Sequence, residues 1–281
     1  MSSILTYLSA SLLYGFVGWH FWRATRQYEF AVQADNAGLT QSIQLRHFIM
    51  LIPLSVHGLV LYQSMSINGA LSFGVGNAIS TIVWLTALIY WISGFVPSLQ
   101  GLQNLIAPIS LTAAVAVLVP LILPSVHPLA HTEMPVFKAH LLAAMLAYSL
   151  FTIAALHALL MTVLERRLHH SAVSSVLTRL PPLLVMEKML FRLVWAGFTL
   201  LSVTLFSGIV FSQELFGQSV TFTHKTLFGF ISWGIFAALL MGRHLYGWRG
   251  RMAIRWTLTG FAALFLAYIG SKFVLEIILS R

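Results

Sequence analysis

Long stretches with almost no charge dominate this sequence, and they leave few ways to fold. A backbone placed in lipid must satisfy its N–H and C=O groups internally, which restricts such stretches to helices. About 20 apolar residues suffice to cross a bilayer. Eight stretches of this kind fall near residues 4–22, 48–66, 74–95, 104–124, 138–163, 187–211, 222–242 and 254–278. The chain is 58% apolar and 8% charged over 281 residues, against about 25% charge in an ordinary soluble domain. The expected fold class is all-α: a polytopic membrane helical bundle of about eight transmembrane helices, in a single domain over residues 1–281. The fourth stretch is the least regular, with Pro108 in its N-terminal part and Pro120 and Pro124 at its end.

A formal charge of +9 raises the question of nucleic acid, but the placement of the basic residues answers it. With eight spans and the N-terminus outside, twelve of the sixteen Lys and Arg residues fall on the inner side, among them Arg166, Arg167, Arg243, Arg249, Arg251 and Arg255. Lys138, Lys225, Lys272 and Arg281 remain outside. That split follows the positive-inside rule for an even number of spans with both termini outside. A seven-span chain would place the 166–188 and 243–255 clusters on opposite faces. The charge therefore reports topology and gives no reason to expect a nucleic-acid partner.

The N-terminus, MSSILTYLSASLLYGFVGWHFWRATR, has its arginines after its apolar run. It reads as a retained first helix, since a cleaved signal peptide has a basic start. No segment between spans exceeds about two dozen residues, so function must lie in the bundle or at its rims. The chain has no cysteine, which excludes thiolate metal sites, CxxC redox chemistry and CxxCH haem attachment.

Eleven histidines are then the main store of chemistry, because polar groups inside a membrane are costly and mark functional sites. His140 and His224 open the fifth and seventh spans, each near a lysine, Lys138 and Lys225. Two neutral imidazoles from separate helices are a common way to ligate haem iron, and Lys225 could pair with a propionate. The blander reading is that both sit in the wet interface and solvate the headgroup region. His57 lies mid-span, where a bond to a neighbouring helix and a ligand role are both open. His157 follows His140 by 17 residues, roughly 25 Å along a helix, so the two cannot share one iron. His244 is likewise about 30 Å from His224. His127 and His131 form an HxxxH with Glu133 nearby, a weak zinc pattern because Pro128 interrupts it and no third histidine is local.

Two segments carry a resemblance: LPPLLVMEKMLFRLVWAGFTLL, and HKTLFGFISWGIFAALLMGRHLYGWRGRMAIRWTLTGFAALFLAYIGSKFVLEIIL. They resemble the YpjD-like inner-membrane proteins of the cytochrome c assembly family, related to the CcsA, CcmC and HemX haem-handling proteins, over about residues 45–280. The resemblance implies a multi-span haem-handling fold whose outer-face histidines are axial ligands of a non-covalent b-type haem. It assigns His140 and His224 to the iron, with His57 as the intramembrane histidine. It also implies haem and other cytochrome c maturation proteins as partners, and a bacterial inner membrane, with both termini in the periplasm, as the setting. CcsA and CcmC proteins carry a tryptophan-rich outer loop ending in Trp-Asp; the corresponding SQELFGQSVTFTHKT here contains neither residue.

Nothing in the chain has the form of an acyl-, phosphoryl- or hydride-transfer site, so the expected role is a haem-binding assembly factor without catalytic residues of its own, accessory to a haem lyase system. Two rivals stand beside it: a small-solute or ion permease using His57 and His157 near the midplane, and a scaffold without ligand.

Overall fold

The computed structural model of the protein describes residues 2–27, 36–67, 70–71, 74–96, 99, 102, 105–123, 134–169, 182–216 and 224–267. Each expected span coincides wholly or in part with a helix: α1 (Ser2–Gln27), α2 (Asn36–Met65), α3 (Val75–Ser93), α4 (Ile106–Ala116) with α5 (Val119–Ile122), α6 (Pro135–His169), α7 (Leu183–Phe216), α8 (His224–Tyr246) and α9 (Arg251–Phe265). Among the described residues five stretches are long and apolar enough to cross a membrane: Phe48–Met65, Val75–Ser93, Pro135–Arg166, Leu183–Val210 and His224–Tyr246. The fourth expected span is shorter than the sequence suggests. It is broken at Val117–Leu118 into α4 and α5, and Pro120 follows the break in the first turn of α5, where a missing N–H costs nothing. The last helix is described only to Phe265, plus one π-type turn.

One element was not expected. Ser66–Ile67 pairs antiparallel with Ala70–Leu71 just after α2. Asn68-Gly69 separates them in the sequence, and that dipeptide favours two-residue hairpins.

Lipid tails are as apolar as leucine, so helices in a membrane associate through close packing and interhelical hydrogen bonds. A row of rings and glycines does this across four helices. Phe151 of α6 stacks on Phe236 of α8 with centroids 3.9 Å apart. Gly197 of α7 lies against the other ring, where an added Cβ would be 3.0 Å from Phe151 Cζ. Gly260 of α9 lies against Phe236 in the same way, at 2.8 Å. Both phenylalanines are fully buried. Ser232 Oγ donates to the Gly260 carbonyl at 2.9 Å, fixing α8 to α9 at the same level.

α3 joins this group to the first helices. Ser149 Oγ of α6 donates to the Ile82 carbonyl at 3.0 Å, and Trp84 Nε1 donates to the Leu54 carbonyl of α2 at 2.9 Å. Ser11 Oγ of α1 donates to the Ala114 carbonyl of α4 at 2.8 Å. Each of these groups reaches a backbone carbonyl of another helix, Ser149 Oγ sharing its proton with the Met145 carbonyl of its own helix at 2.7 Å, which is how a membrane bundle carries polar side chains inside.

Candidate histidine site at the α6–α8 end

Packing brings the two expected ligand histidines to the same level. Phe151 follows His140 by 11 residues and Phe236 follows His224 by 12, so both histidines lie about 17 Å along their helices from the shared ring stack. Lys225 is close enough for its charge to act on His140. α6 and α8 thus run parallel and open at one end of the bundle, with α7 antiparallel beside them.

His140 is held in place by α7. Its Nδ1 is 2.7 Å from Ser207 Oγ, and the serine oxygen also reaches the Val203 carbonyl at 2.7 Å and the Thr204 carbonyl at 3.1 Å. With the serine proton on either carbonyl, the serine oxygen accepts and His140 Nδ1–H donates. In that tautomer the ring lone pair is on Nε2, the arrangement in which a histidine ligates a metal while its other nitrogen is oriented by a protein group. Gly208 sits beside the ring, where an added Cβ would lie 3.5 Å from His140 Cε1. His140 is half-buried, whereas His224, Lys225 and Lys138 are exposed.

His57 and His157 lie elsewhere and do different work. His57 is fully buried; its Nε2 is 2.8 Å from Ser80 Oγ of α3, and its ring meets Tyr14 of α1 edge-on at 5.6 Å. It links three helices. His157 Nε2 donates to the Met186 carbonyl of α7 at 3.0 Å, so it ties α6 to the first turn of α7. In both rings Nδ1 has no hydrogen-bond partner, and the same holds for Tyr14 Oη beside His57. Trp233, on the span that His224 opens, is turned to α7, donating to Ser202 Oγ at 2.9 Å and stacking on Phe198.

Among the described residues no group of three or more His, Asp or Glu side chains could hold a metal ion. The HxxxH of His127 and His131, with Glu133, lies outside the described residues, as do the aromatic-poor residues 217–223 before His224.

Sequence reasoning missed the ionic clasp at the opposite end. Arg243, near the end of α8, pairs with Glu187, in the first turns of α7, at 2.5 Å and lies over the Phe191 ring at 4.6 Å. The second oxygen of Glu187 accepts from the Gly250 N–H at 3.1 Å. Arg251 of α9 pairs with Glu165 of α6 at 2.6 Å. These bonds put Glu165 and Glu187 at the same end of the bundle as Arg243, Gly250 and Arg251, as the eight-span reading requires. The signal in the sequence is scarcity: Glu165 and Glu187 are two of seven acidic residues, and both sit at span ends.

A family model described as "Cytochrome C assembly protein" matches residues 45–279. The chain is 30% identical over 144 residues, 51% of its length and 54% of the relative's, to "Inner membrane protein YpjD" of Escherichia coli strain K12. It is 32% identical over 140 residues, 50% and 52% of the two lengths, to an uncharacterized 28.8 kDa protein of Azospirillum brasilense. It is 31% identical over 91 residues, 32% and 27% of the two lengths, to "Cytochrome c biogenesis protein CcsA" of Gloeobacter violaceus. The chain spans about half the length of the first two of these curated relatives.

Proposed function

The chain belongs to the cytochrome c assembly protein family, and from that premise we propose that it is a haem-binding assembly factor of the bacterial inner membrane, with His140 and His224 as axial ligands. The observation that carries this reading is the Ser207 bond to His140, because it orients the imidazole through Nδ1 as a protein group does for a metal-ligating histidine. Three other features fit the group. The second histidine opens a parallel helix at the same level, Gly208 adds no side chain of its own beside His140 Cε1, and Lys225 supplies a cation nearby for a propionate.

When bound, haem would bring its iron as cargo for c-type cytochromes. The chain's own residues bind and orient it; none is assigned a bond-breaking step, so the protein acts as an accessory to partner maturation proteins. His57 is retained as a second, intramembrane candidate on the strength of its unpartnered Nδ1.

The test is the absorption spectrum of the purified protein, oxidised and reduced, beside His140→Ala and His224→Ala prepared under the same haem supply. A bis-histidine spectrum in the wild type that is lost in both variants is the expected result. A wild-type protein with no Soret band after haem is added in detergent would remove the haem reading. Loss in His57→Ala alone would move the ligand into the membrane interior.

A further inference from the structure

We propose that the cleft between the C-terminal end of α6 and the N-terminal end of α9 binds the phosphate-bearing headgroup of an anionic phospholipid. The cleft encloses ≈ 400 Å³. Its mouth carries Glu165, Arg166, Arg251 and Arg255, and Ile254 and Leu258 line its apolar side.

The spacing explains the shape. Residues 251, 254, 255 and 258 recur at i, i+3, i+4 and i+7, which is one face of a helix. Thr162, Glu165 and Arg166 share a face of α6 in the same way, and Thr162 also lines the cleft. Arg166 follows the apolar run of α6 and Arg251 opens α9, so both arginines stand at helix ends. Leu258 lies two turns deeper along α9. A headgroup at the mouth would thus have its acyl chains beside the apolar part.

Charge selects the headgroup. Arg251 is paired with Glu165 at 2.6 Å, but no ion pair engages Arg166 or Arg255 among the described residues. Two guanidinium groups remain uncompensated in a partly enclosed site. Guanidinium forks match phosphate oxygens in a bidentate manner, and basic pockets between membrane helices suit anionic headgroups. A zwitterionic headgroup would set its own cation against these arginines.

Native mass spectrometry of the full chain, delipidated in neutral detergent, tests the proposal with phosphatidylglycerol and phosphatidylcholine added at equal concentration. The expected result is roughly tenfold preferential retention of phosphatidylglycerol. Arg166→Gln/Arg255→Gln should erase that preference, while Arg166→Lys/Arg255→Lys, which keeps the charge, should retain part of it. Arg249→Gln, which removes an exposed charge outside the cleft lining, should leave it unchanged. Equal retention of the two lipids by the wild type, or an unchanged preference in the Gln/Gln protein, would overturn the proposal. Displacement of phosphatidylglycerol by equimolar inorganic phosphate would also overturn it, by making free phosphate the ligand.

Discussion

His140 illustrates how far a single side chain can be read before its surroundings are known. It stands out because ionisable residues are rare in such a chain and costly in a membrane. Its partner does not stand out: Ser207 is one of many hydroxyls and lies 67 residues further on. Yet Ser207 orients the ring through its bond to Nδ1. Ser207→Ala should leave the bundle folded and lower haem affinity by about 10- to 100-fold, the usual effect of removing a group that orients a metal-bound histidine. A haem titration in detergent followed at the Soret maximum checks this, and an affinity equal to that of the wild type would separate the serine from the site. His57 carries the same lesson. Its place in the second span was visible, whereas its bond to Ser80 and its contact with Tyr14 depend on α1, α2 and α3 meeting.

Among the elements, helix positions followed from the length of the apolar runs, because lipid permits little else. The departures have local causes. Pro120 accompanies the break between α4 and α5, and the Asn68-Gly69 pair marks the small hairpin. How helices meet was less legible, because glycines and alanines occur throughout and only packing says which of them face a ring. Gly260 is one such case: its missing side chain admits Phe236, so Gly260→Ala should cost about 1–3 kcal/mol through overpacking, read as a lower unfolding midpoint in detergent. The clasp between α7, α8 and the turn before α9 offers a second prediction. Glu187 is nearly buried and accepts from both Arg243 and the Gly250 N–H. Gly250 has φ +53, in the region that favours glycine. Glu187→Ala strands a partly exposed arginine and an amide, and should cost about 2–3 kcal/mol in the same measurement. Glu187→Gln should recover part of this loss, since its amide oxygen can still accept one bond.

Across the whole molecule the two ends differ in kind. One carries Arg166, Arg243, Arg249, Arg251 and Arg255, partly tied by two carboxylates; the other carries Lys138 and Lys225 beside the histidine site. Arginine-rich rims stay on the cytoplasmic side of a membrane, so the histidine end should face the periplasm, as should the N-terminus if eight spans are crossed. The absence of cysteine makes this directly measurable, because any thiol introduced is the only one. In intact cells a membrane-impermeant maleimide should label Lys138→Cys and Ser2→Cys. It should reach Arg249→Cys only after the membrane is permeabilised. Labelling of Arg249→Cys in intact cells with protection of Lys138→Cys would invert the bundle, and haem held by His140 and His224 would then lie at the cytoplasmic face, on the wrong side for cytochromes matured in the periplasm. The orientation test therefore bears on the functional reading as directly as the haem spectrum does: one asks whether the histidines hold a ligand, the other whether they hold it where an assembly factor would need it.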